Sequence, residues 1–230
     1  MTRSAHKSGI AGGPLLQAVS EVVGRPISKQ GCSFAGKTDT ANVRALLTAN
    51  NVEVDGVEAR ADIEHQVFQA LPRIMEEGVN EGVFKYNTLP GVKELVTALH
   101  ARSDVVQGLL TGNLEACCPV KLGAAGIDYS LFPLGAYGSD SADRNTLLPV
   151  AVSKYEALIG ETISADRVVV IGDTPADVEC ATTHGARCLA VASGSYSSAQ
   201  LEAANPTYCL KDLSDVQTVL GLLFDDGQYE

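Results

Sequence analysis

The sequence predicts an α/β fold in which helices pack on both faces of a parallel sheet. One observation is that strand-like and helical segments alternate from about Leu89 onward, the order from which parallel sheets are built. A second is that two of the predicted strands end in small polar residues, as expected where the carboxyl ends of strands form a ligand site. A third is that 45% of the 230 residues are apolar, enough for an ordinary buried core.

Helices are predicted before Leu89, because apolar residues recur there at helical spacing. We expect one helix after Gly12-Gly13-Pro14, a second from Thr40 to Ala49, and a third at residues 67–75, where the amphipathic stripe is clearest. No strand is expected in the first ~90 residues, because neither apolar alternation nor a β-branched run occurs in them.

Strands and helices are predicted in turn after Leu89. Proline begins two of these helices and glycine follows three of them, as is usual at helix ends. The predicted strands are 105–110, 132–137, 167–171 and 187–192, and the predicted helices are 90–99, 113–125, 147–158, 175–184 and 198–204. This order places the ligand crevice outside the carboxyl ends of the strands.

The composition argues against several classes of function. The formal net charge is -11 and there is no long basic run, so no nucleic-acid partner is expected. Acidic residues are spread along the chain and no stretch reaches the length of a membrane span, which indicates a soluble cytoplasmic protein without a membrane partner. The six cysteines form no C-x-x-C pair and no spaced cluster with the four histidines, so we expect buried thiols rather than metal ligands.

Thr111, Gly112 and Asn113 directly follow the predicted strand at 105–110. A hydroxyl, a glycine without a side chain and the free N–H groups that open a helix suit a phosphate oxygen. The alternative is that Asn113 only caps the next helix. The segment by itself does not distinguish a phosphate site from a helix cap.

Two carboxylates, Asp173 and Asp177, lie at the second strand end. Asp173 follows the β-branched strand at 167–171, and Asp177 lies four residues later in the first turn of the next predicted helix. Two carboxylates on one turn provide the hard oxygen ligands that Mg²⁺ prefers. For Asp177 the alternative is structural, because the segment from Thr174 to Asp177 has the form of a capping box.

Arg144 lies in a polar loop after the predicted strand at 132–137, and we expect this loop to face the same crevice. A cation at this position could neutralise a phosphate and stabilise the charge that develops as the P–O bond breaks. The alternative is a solvated, charged loop with no role in binding.

Residues 31–38 fit G-x-x-x-x-G-K-T, the pattern of the phosphate-binding P-loop, with Lys37 as its lysine. A P-loop requires a buried strand directly before it and a helix directly after it. Residues 25–30 are polar and include Pro26, which is unsuitable in a central parallel strand. A P-loop NTPase therefore stays an alternative that predicts nucleotide binding lost in Lys37→Ala.

The segments Thr111-Gly112-Asn113 and Gly172-Asp173-Thr174-Pro175-Ala176-Asp177, with a cation in the loop between them, resemble the motifs of the haloacid dehalogenase (HAD) superfamily of hydrolases. The chain looks most like the phosphoglycolate-phosphatase-like members. The resemblance implies a Rossmann-like parallel sheet as the HAD core, with an α-helical cap domain inserted after the first core strand. The implied domains are 1–21 as a remnant of the core N-terminus, 22–87 as the cap and 88–230 as the core.

The resemblance also implies a substrate side to the site. Thr111 would bind the transferred phosphoryl group, with Gly112 and Asn113 beside it, and the substrate would be a small phosphorylated metabolite. Residues 34–39 resemble a recurrent cap sequence, which explains the P-loop match more simply and puts Lys37 at the substrate.

On the metal side, Asp173 resembles the Mg²⁺ ligand of the family. Asp177 resembles the second acidic residue of the same motif, either a ligand or a support for the lysine of the family. Arg144 stands where the family has that lysine, and its planar fork differs in shape from a compact ammonium group.

The first motif of the family has no counterpart in the sequence. That motif is a buried strand ending in Asp-x-Asp-x-Thr, whose first aspartate attacks phosphorus and whose second acts as general acid and base. The first aspartate here is Asp39, in the implied cap. The resemblance therefore implies that the central strand of the sheet is missing and that the chain begins about one strand late, as a truncated product would.

Two functional hypotheses follow from the missing motif. The first is a Mg²⁺-dependent HAD-type phosphatase for a phosphoglycolate-like phosphomonoester, inactive or weak as written because covalent catalysis needs the absent carboxylate. The second is a non-enzymatic pseudoenzyme that binds a phosphorylated ligand through Thr111, Arg144 and Asp173. The sequence predicts neither the identity of the substrate nor the oligomeric state.

Overall fold

The computed structural model describes residues 2–6 and 13–224. The strands are β1 (Thr2–His6), β2 (Phe84–Thr88), β3 (Gly108–Leu110), β4 (Leu134–Ala136), β5 (Val169–Gly172), β6 (Arg187–Val191) and β7 (Tyr208–Leu210). The helices are α1 (Pro14–Val23), α2 (Asp39–Ala49), α3 (Gly56–Asn80), α4 (Val92–His100), α5 (Cys118–Ala124), α6 (Leu147–Ile159), α7 (Pro175–Thr182), α8 (Ser198–Glu202) and α9 (Val216–Phe224).

Parallel strands form the second half of the molecule, as the sequence predicts. β3 pairs with β4, and β6 lies between β5 and β7, all in parallel register. Thr111 directly follows β3, and Asp173 directly follows β5. The α/β class is therefore confirmed, and both candidate segments lie at the carboxyl ends of parallel strands.

The expectation that no strand precedes Leu89 is wrong. β1 pairs antiparallel with β2 over its whole length. β2 alternates the buried Phe84 and Tyr86 with exposed residues, a signal only two apolar positions long. The sequence of β1 is Thr-Arg-Ser-Ala-His, which has no apolar alternation, so its strand character comes from backbone pairing rather than from a residue pattern.

The inner edges of β3 and β5 flank an open slot. β6 is paired on both sides and is buried from Cys188 to Val191, whereas the residues of β3 and β5, apart from Val170 and Gly172, are exposed or only partly buried. A cavity of about 1010 Å³ is lined by both strands. Within residues 2–6 and 13–224, no strand pairs with either inner edge, and the lack of a central strand stays a prediction.

Helices α1, α2 and α3 pack around a common apolar core. Its main contributors from these helices are Leu15, Leu16, Val19, Val43, Leu46, Val67 and Leu71. Leu114 and Cys117, which follow the Thr111 segment, belong to the same core. The expected division of domains at residues 21 and 22 would fall inside α1, and the domain bounds stay a prediction.

The bounds of several elements differ from the predicted ones. A single helix is predicted at 113–125, but a 3-10 turn at Glu115–Cys117 precedes α5, and the side chain of Asn113 does not cap the helix. No element is predicted after residue 204, because β7 has only three residues and α9 is apolar nearly throughout, without a clear period. None of the helices in the described ranges is long and apolar enough to cross a membrane.

Candidate functional site

Most of the predicted site residues lie on the wall of the slot between β3 and β5. These residues are Thr111, Asn113, Arg144, Asp173 and Asp177. The other two, Gly112 and Lys37, are in close backbone contact. The carbonyl of Lys37 occupies the space that a side chain on Gly112 would need. Segments far apart in the sequence thus meet around one cavity, while their roles stay predictions.

The carboxylate of Asp177 is buried and engaged through both oxygens. Oδ2 accepts hydrogen bonds from the backbone N–H groups of Asp173 and Thr174, at 3.1 and 3.0 Å, and from the Thr174 hydroxyl at 2.8 Å. Thr174 Oγ1 in turn accepts from the Asp177 N–H at 3.3 Å, which completes a capping box at the start of α7. Oδ1 accepts from Arg144 Nη2. Little lone-pair capacity remains for a metal ion, so these contacts favour a capping role over direct ligation.

Asp173 is a partly buried carboxyl group beside Asp177. Burial, and then the negative charge of Asp177, raise the pKa of Asp173 above its ordinary value. The loop after the neighbouring strand β6 approaches so closely that a side chain on Gly194 would collide with Asp173 Oδ2. A divalent cation beside Asp173 would oppose both effects on its pKa, because it favours the charged form.

Arg144 brings positive charge to the cavity. Its ion pair with Asp177 is mostly buried, with 14% and 6% of the two side chains exposed. Arg144 Nε is buried and has no hydrogen-bond partner among the described residues. An unsatisfied buried donor is unfavourable, so this N–H group is suited to an anion that enters the cavity.

Thr111 is held by the backbone on both sides. Its N–H donates to the carbonyl of Ala136 at 3.0 Å, which ties the end of β3 to β4. Its Oγ1 accepts a hydrogen bond from the N–H of Asn113 at 3.2 Å. A hydroxyl that accepts one hydrogen bond can still donate its own proton, so the side chain can donate to a phosphate oxygen in the cavity.

Asp39 and Lys121, which the sequence analysis did not assign to the site, hold Asn113 from opposite sides. Asp39 Oδ2 accepts from Asn113 Nδ2 at 3.4 Å and from the N–H of Leu114 at 3.0 Å, and Lys121 Nζ donates to Asn113 Oδ1 at 2.6 Å. Asp39 is 8% exposed, and burial raises its pKa although Lys121 lies nearby. The sequence feature that could have identified Asp39 as part of the site is its position in the recurrent cap sequence at 34–39.

The segment 36–40, which ends the loop before α2 and begins that helix, touches the loops after β3 and β4 and the start of α7 after β5. Its hydrogen bonds to the first two run from Asp39 N–H to Gly112 O (2.6 Å), from Thr38 Oγ1 to Ala142 O (2.8 Å) and from Thr40 Oγ1 to Gly138 O (2.6 Å). Toward the third, a Cβ atom on Gly36 would lie 2.9 Å from that of Ala176. The helical unit, which is formed by α1, α2 and α3, therefore packs directly against the candidate site.

The P-loop alternative lacks its structural context. Residues 24–38 contain no strand, although a P-loop requires a buried strand directly before it. The match at 31–38 instead belongs to the loop that is seated on the strand ends. Lys37 contributes its carbonyl group to the close contact with Gly112.

Metal-ligating side chains are sparse in the described ranges. Within them, no group of three or more His, Cys, Asp or Glu side chains is arranged to hold a metal ion. Mg²⁺ is commonly bound through one or two carboxylates, with water and substrate phosphate completing the coordination. Asp173 lies on the cavity wall and could supply one carboxylate to such a partly protein-bound magnesium ion.

The cysteines have the surroundings expected of structural thiols. All six are free, and four of them are buried. Burial raises the pKa of Cys117, Cys118 and Cys188 to about 12. Such thiols stay protonated at neutral pH and are poor nucleophiles and poor metal ligands.

A family model described as HAD-hydrolase-like matches residues 145–216, the segment that contains Asp173, Asp177 and β5 to β7. No curated protein matches the chain. The resemblance to the HAD superfamily that the sequence motifs predict is thus confirmed over this segment.

Solved structures extend the likeness to the whole fold. A hydrolase from Pseudomonas syringae is 19% identical with a TM-score of 0.61, over 91% of each chain. A protein described as a predicted phosphoglycolate phosphatase from Haemophilus somnus is 16% identical with a TM-score of 0.58, over 90% of each chain. CbbY from Rhodobacter sphaeroides, solved with phosphate, is 18% identical with a TM-score of 0.61, over 88% of each chain. At these identities the comparison establishes a shared fold.

Proposed function

We propose that this chain, which has the fold of HAD-type phosphatases, binds a small phosphomonoester of the phosphoglycolate class together with Mg²⁺. The observation that carries the proposal is the convergence of Thr111, Arg144 and Asp173 on one cavity at the carboxyl ends of β3 and β5. The family match over residues 145–216 supports it, as does the fold shared with a protein that was solved with phosphate.

Each of the three residues has a distinct role in this proposal. The Thr111 hydroxyl donates to a phosphate oxygen, because its oxygen already accepts from Asn113. The Arg144 guanidinium neutralises phosphate charge, and its pairing with Asp177 fixes its orientation. Asp173 holds Mg²⁺, which when bound neutralises further charge on the phosphate oxygens.

Asp177 supports the site from behind in this proposal. Its carboxylate orients Arg144 and holds the backbone N–H groups of Asp173 and Thr174. Direct ligation of the metal by Asp177, the other role that the resemblance implies, would require one of these hydrogen bonds to break.

We expect the chain as written to turn over phosphomonoesters weakly or not at all. The acidic residues on the described cavity wall are Asp104, Asp173 and Asp177. Asp177 is engaged through both oxygens, Asp104 pairs with Arg102, and Asp173 is assigned to the metal. None of these is placed as a nucleophile toward a phosphate bound at Thr111, and this favours the second candidate function, a pseudoenzyme that binds a phosphorylated ligand without hydrolysing it.

Calorimetric titration of the purified 230-residue chain with phosphoglycolate and with inorganic phosphate, at millimolar Mg²⁺, tests binding. We expect saturable binding that is weakened in Asp173→Ala and unchanged in Asp166→Ala, which removes an exposed carboxylate at the other end of β5. Absence of binding by the unmodified chain would refute the proposed function.

Hydrolysis of p-nitrophenyl phosphate by the same proteins separates the two candidates. No turnover above background is expected. Clear turnover that Asp173→Ala abolishes would refute the pseudoenzyme and would show that another residue supplies the nucleophile.

The acidic composition and the free cysteines further lead us to propose a cytoplasmic, reducing compartment.

A further inference from the structure

Asp39 lies where helix α2 meets the loop that carries Thr111. Its backbone N–H donates to the carbonyl of Gly112, and its carboxylate accepts hydrogen bonds from Leu114 and Asn113. Asp39 is not among the residues that line the cavity. Its carboxylate can therefore act on a bound ligand through two neighbours that line the cavity, the Thr111 loop and Lys121.

The side-chain amide of Asn113 is oriented by the charges on its two sides. A carboxylate can only accept hydrogen bonds and an ammonium group can only donate them. Nδ2 must therefore face Asp39, and Oδ1 must face Lys121, 2.6 Å from its Nζ. With its side chain held in this way, Asn113 donates its backbone N–H to Thr111 Oγ1, which leaves the hydroxyl proton of Thr111 for an acceptor in the cavity.

Ionisation of the Asp39 carboxyl is disfavoured by its burial. Burial raises the pKa of Asp39 in the folded state. A carboxyl group whose pKa is higher in the folded than in the unfolded state stabilises the fold while it is protonated. That contribution to the free energy of unfolding is lost as the pH rises through the folded-state pKa. At neutral pH a neutral side chain of the same shape removes this cost, which offsets the hydrogen bond that an amide at this position cannot accept. A buried charge kept beside a ligand site against this cost indicates a role in the site.

We propose that Asp39 is a positioning residue, which holds Asn113 and Leu114 so that the Thr111 hydroxyl donates into the cavity, and which thereby couples the seating of α2 to the binding of phosphate. The inference rests on the proposed phosphate site. According to this inference, the helical unit influences the Thr111 loop through the carboxylate of Asp39, without contacting the ligand itself.

The test compares Asp39→Asn with Asp62→Asn, which changes an exposed carboxylate on α3 in the same helical unit. An amide at position 39 presents an N–H group to Asn113 or to Leu114. One hydrogen bond must therefore break in the relay, the set of contacts that runs from Asp39 through Asn113 and Leu114 to Thr111. We expect Asp39→Asn to bind inorganic phosphate, in the presence of Mg²⁺, about tenfold more weakly, the change that corresponds to one lost hydrogen bond. Asp62→Asn should bind with unchanged affinity.

The midpoint of thermal unfolding separates positioning from a structural role. A structural role predicts that Asp39→Asn lowers the midpoint together with the phosphate affinity, whereas a positioning role predicts weaker binding with an unchanged or higher midpoint. Should Asp39→Asn fail to fold, Asp39→Ala removes the carboxylate without placing a new N–H group in the buried site and is expected to weaken phosphate binding in the same way. Unchanged affinity in the folded variant would overturn the proposal.

A spectroscopic measurement keeps this inference separate from the proposed function. In ¹H–¹⁵N spectra, the side-chain amide signals of Asn113 and the backbone signal of Leu114 should shift in Asp39→Asn and not in Asp62→Asn. If the unmodified chain binds no phosphate, the proposed function fails and these signals alone decide whether Asp39 orients the loop. Signals of Asn113 that do not respond to Asp39→Asn would refute the relay.

Discussion

Asp177 holds Arg144 with one carboxylate oxygen and the turn that begins α7 with the other. Both sides of the ion pair are mostly buried, so water screens it little. The same carboxylate receives the N–H of Asp173, and it therefore connects the proposed metal ligand with the proposed phosphate ligand. At the scale of single residues, stability and function thus depend on one group.

Replacement of Asp177 by asparagine should destabilise the fold strongly. The variant leaves the Arg144 guanidinium buried without its counter-charge and places an amide N–H group toward either Arg144 or the N–H groups of the turn. Breaking a buried ion pair by removing one partner typically costs about 3–5 kcal/mol, and we expect a loss of about 3 kcal/mol in the free energy of unfolding. Urea unfolding followed by circular dichroism measures this loss.

The matched control is Asp104→Asn, which removes the partner of Arg102 from an ion pair on the protein surface. More than a third of each of these side chains is exposed, so the variant should change the free energy of unfolding far less than Asp177→Asn. Equal small losses in the two variants would contradict the assignment of Asp177 as the organising carboxylate.

Sequence reasoning finds the residues whose chemistry is visible in a local pattern. Thr111 and Asp173 stand directly after apolar strands, and the capping box at Thr174 is encoded within four residues. Asp39 is different, because its partner Leu114 lies 75 positions away and the hydrogen bond depends on how α2 is seated. Burial and partners of that kind are properties of the folded chain, not of a segment.

The loop after β3 lies so close to the loop before α2 and to the loop after β4 that two glycines have no room for a side chain. A Cβ atom on Gly112 would collide with the carbonyl of Lys37, and one on Gly138 would collide with the carbonyl of Gly112. Both obstacles are backbone atoms, which cannot rotate away as a flexible side chain can. These two close backbone contacts therefore fix the loop before α2 and the loops after β3 and β4 relative to one another, and they require glycine at both positions.

Gly112→Ala should separate these two elements. The added methyl group forces the backbone at Lys37 to shift, and overpacking of this kind typically costs about 1–3 kcal/mol. We expect a loss of that size in urea unfolding, together with weaker phosphate binding, because the shift moves Thr111 and Asn113.

Gly123→Ala is the control for a glycine-to-alanine change that meets no obstacle. Gly123 lies in α5 with open space around its Cβ position, so alanine should stabilise the helix by about 0.5–1 kcal/mol and leave phosphate binding unchanged. A Gly112→Ala protein that is as stable as Gly123→Ala would show that the two loops are not in close contact.

The order of elements after Leu89 could be predicted because each helix and strand carries its own period, and because proline and glycine mark helix ends. β1 and β7 could not, since neither has apolar alternation of useful length and both depend on a neighbouring strand. The predicted domain boundary at residues 21 and 22, which falls inside α1, has a similar explanation. The packing of α1 against α2 and α3 is not visible in the sequence of α1 alone.

At the scale of the whole molecule, the slot between β3 and β5 interrupts what would otherwise be one sheet. The strands on its two sides have apolar residues that are only partly buried, among them Leu109, Leu110, Val169 and Ile171. Within residues 2–6 and 13–224 the facing edges of β3 and β5 have no strand partner, and unpaired edges with half-exposed apolar side chains are unfavourable inside an α/β fold. The fold therefore has stability to gain from any extended segment that fills the slot, and the same segment would end beside Thr111 and Asp173.

Fusion of an apolar strand to the N-terminus, followed by Asp-x-Asp-x-Thr, should raise stability and activity together. Burying the added strand contributes several kcal/mol, and at about 2–4 °C per kcal/mol we expect the midpoint of thermal unfolding to rise by about 10 °C. Turnover of p-nitrophenyl phosphate should appear, because a carboxylate then faces the phosphate at Thr111. A matched fusion with Asn-x-Asn should stabilise equally without turnover. An unchanged midpoint in both fusions would show that the slot does not accept a strand, and equal turnover in both would show that the added aspartates are not the catalytic groups.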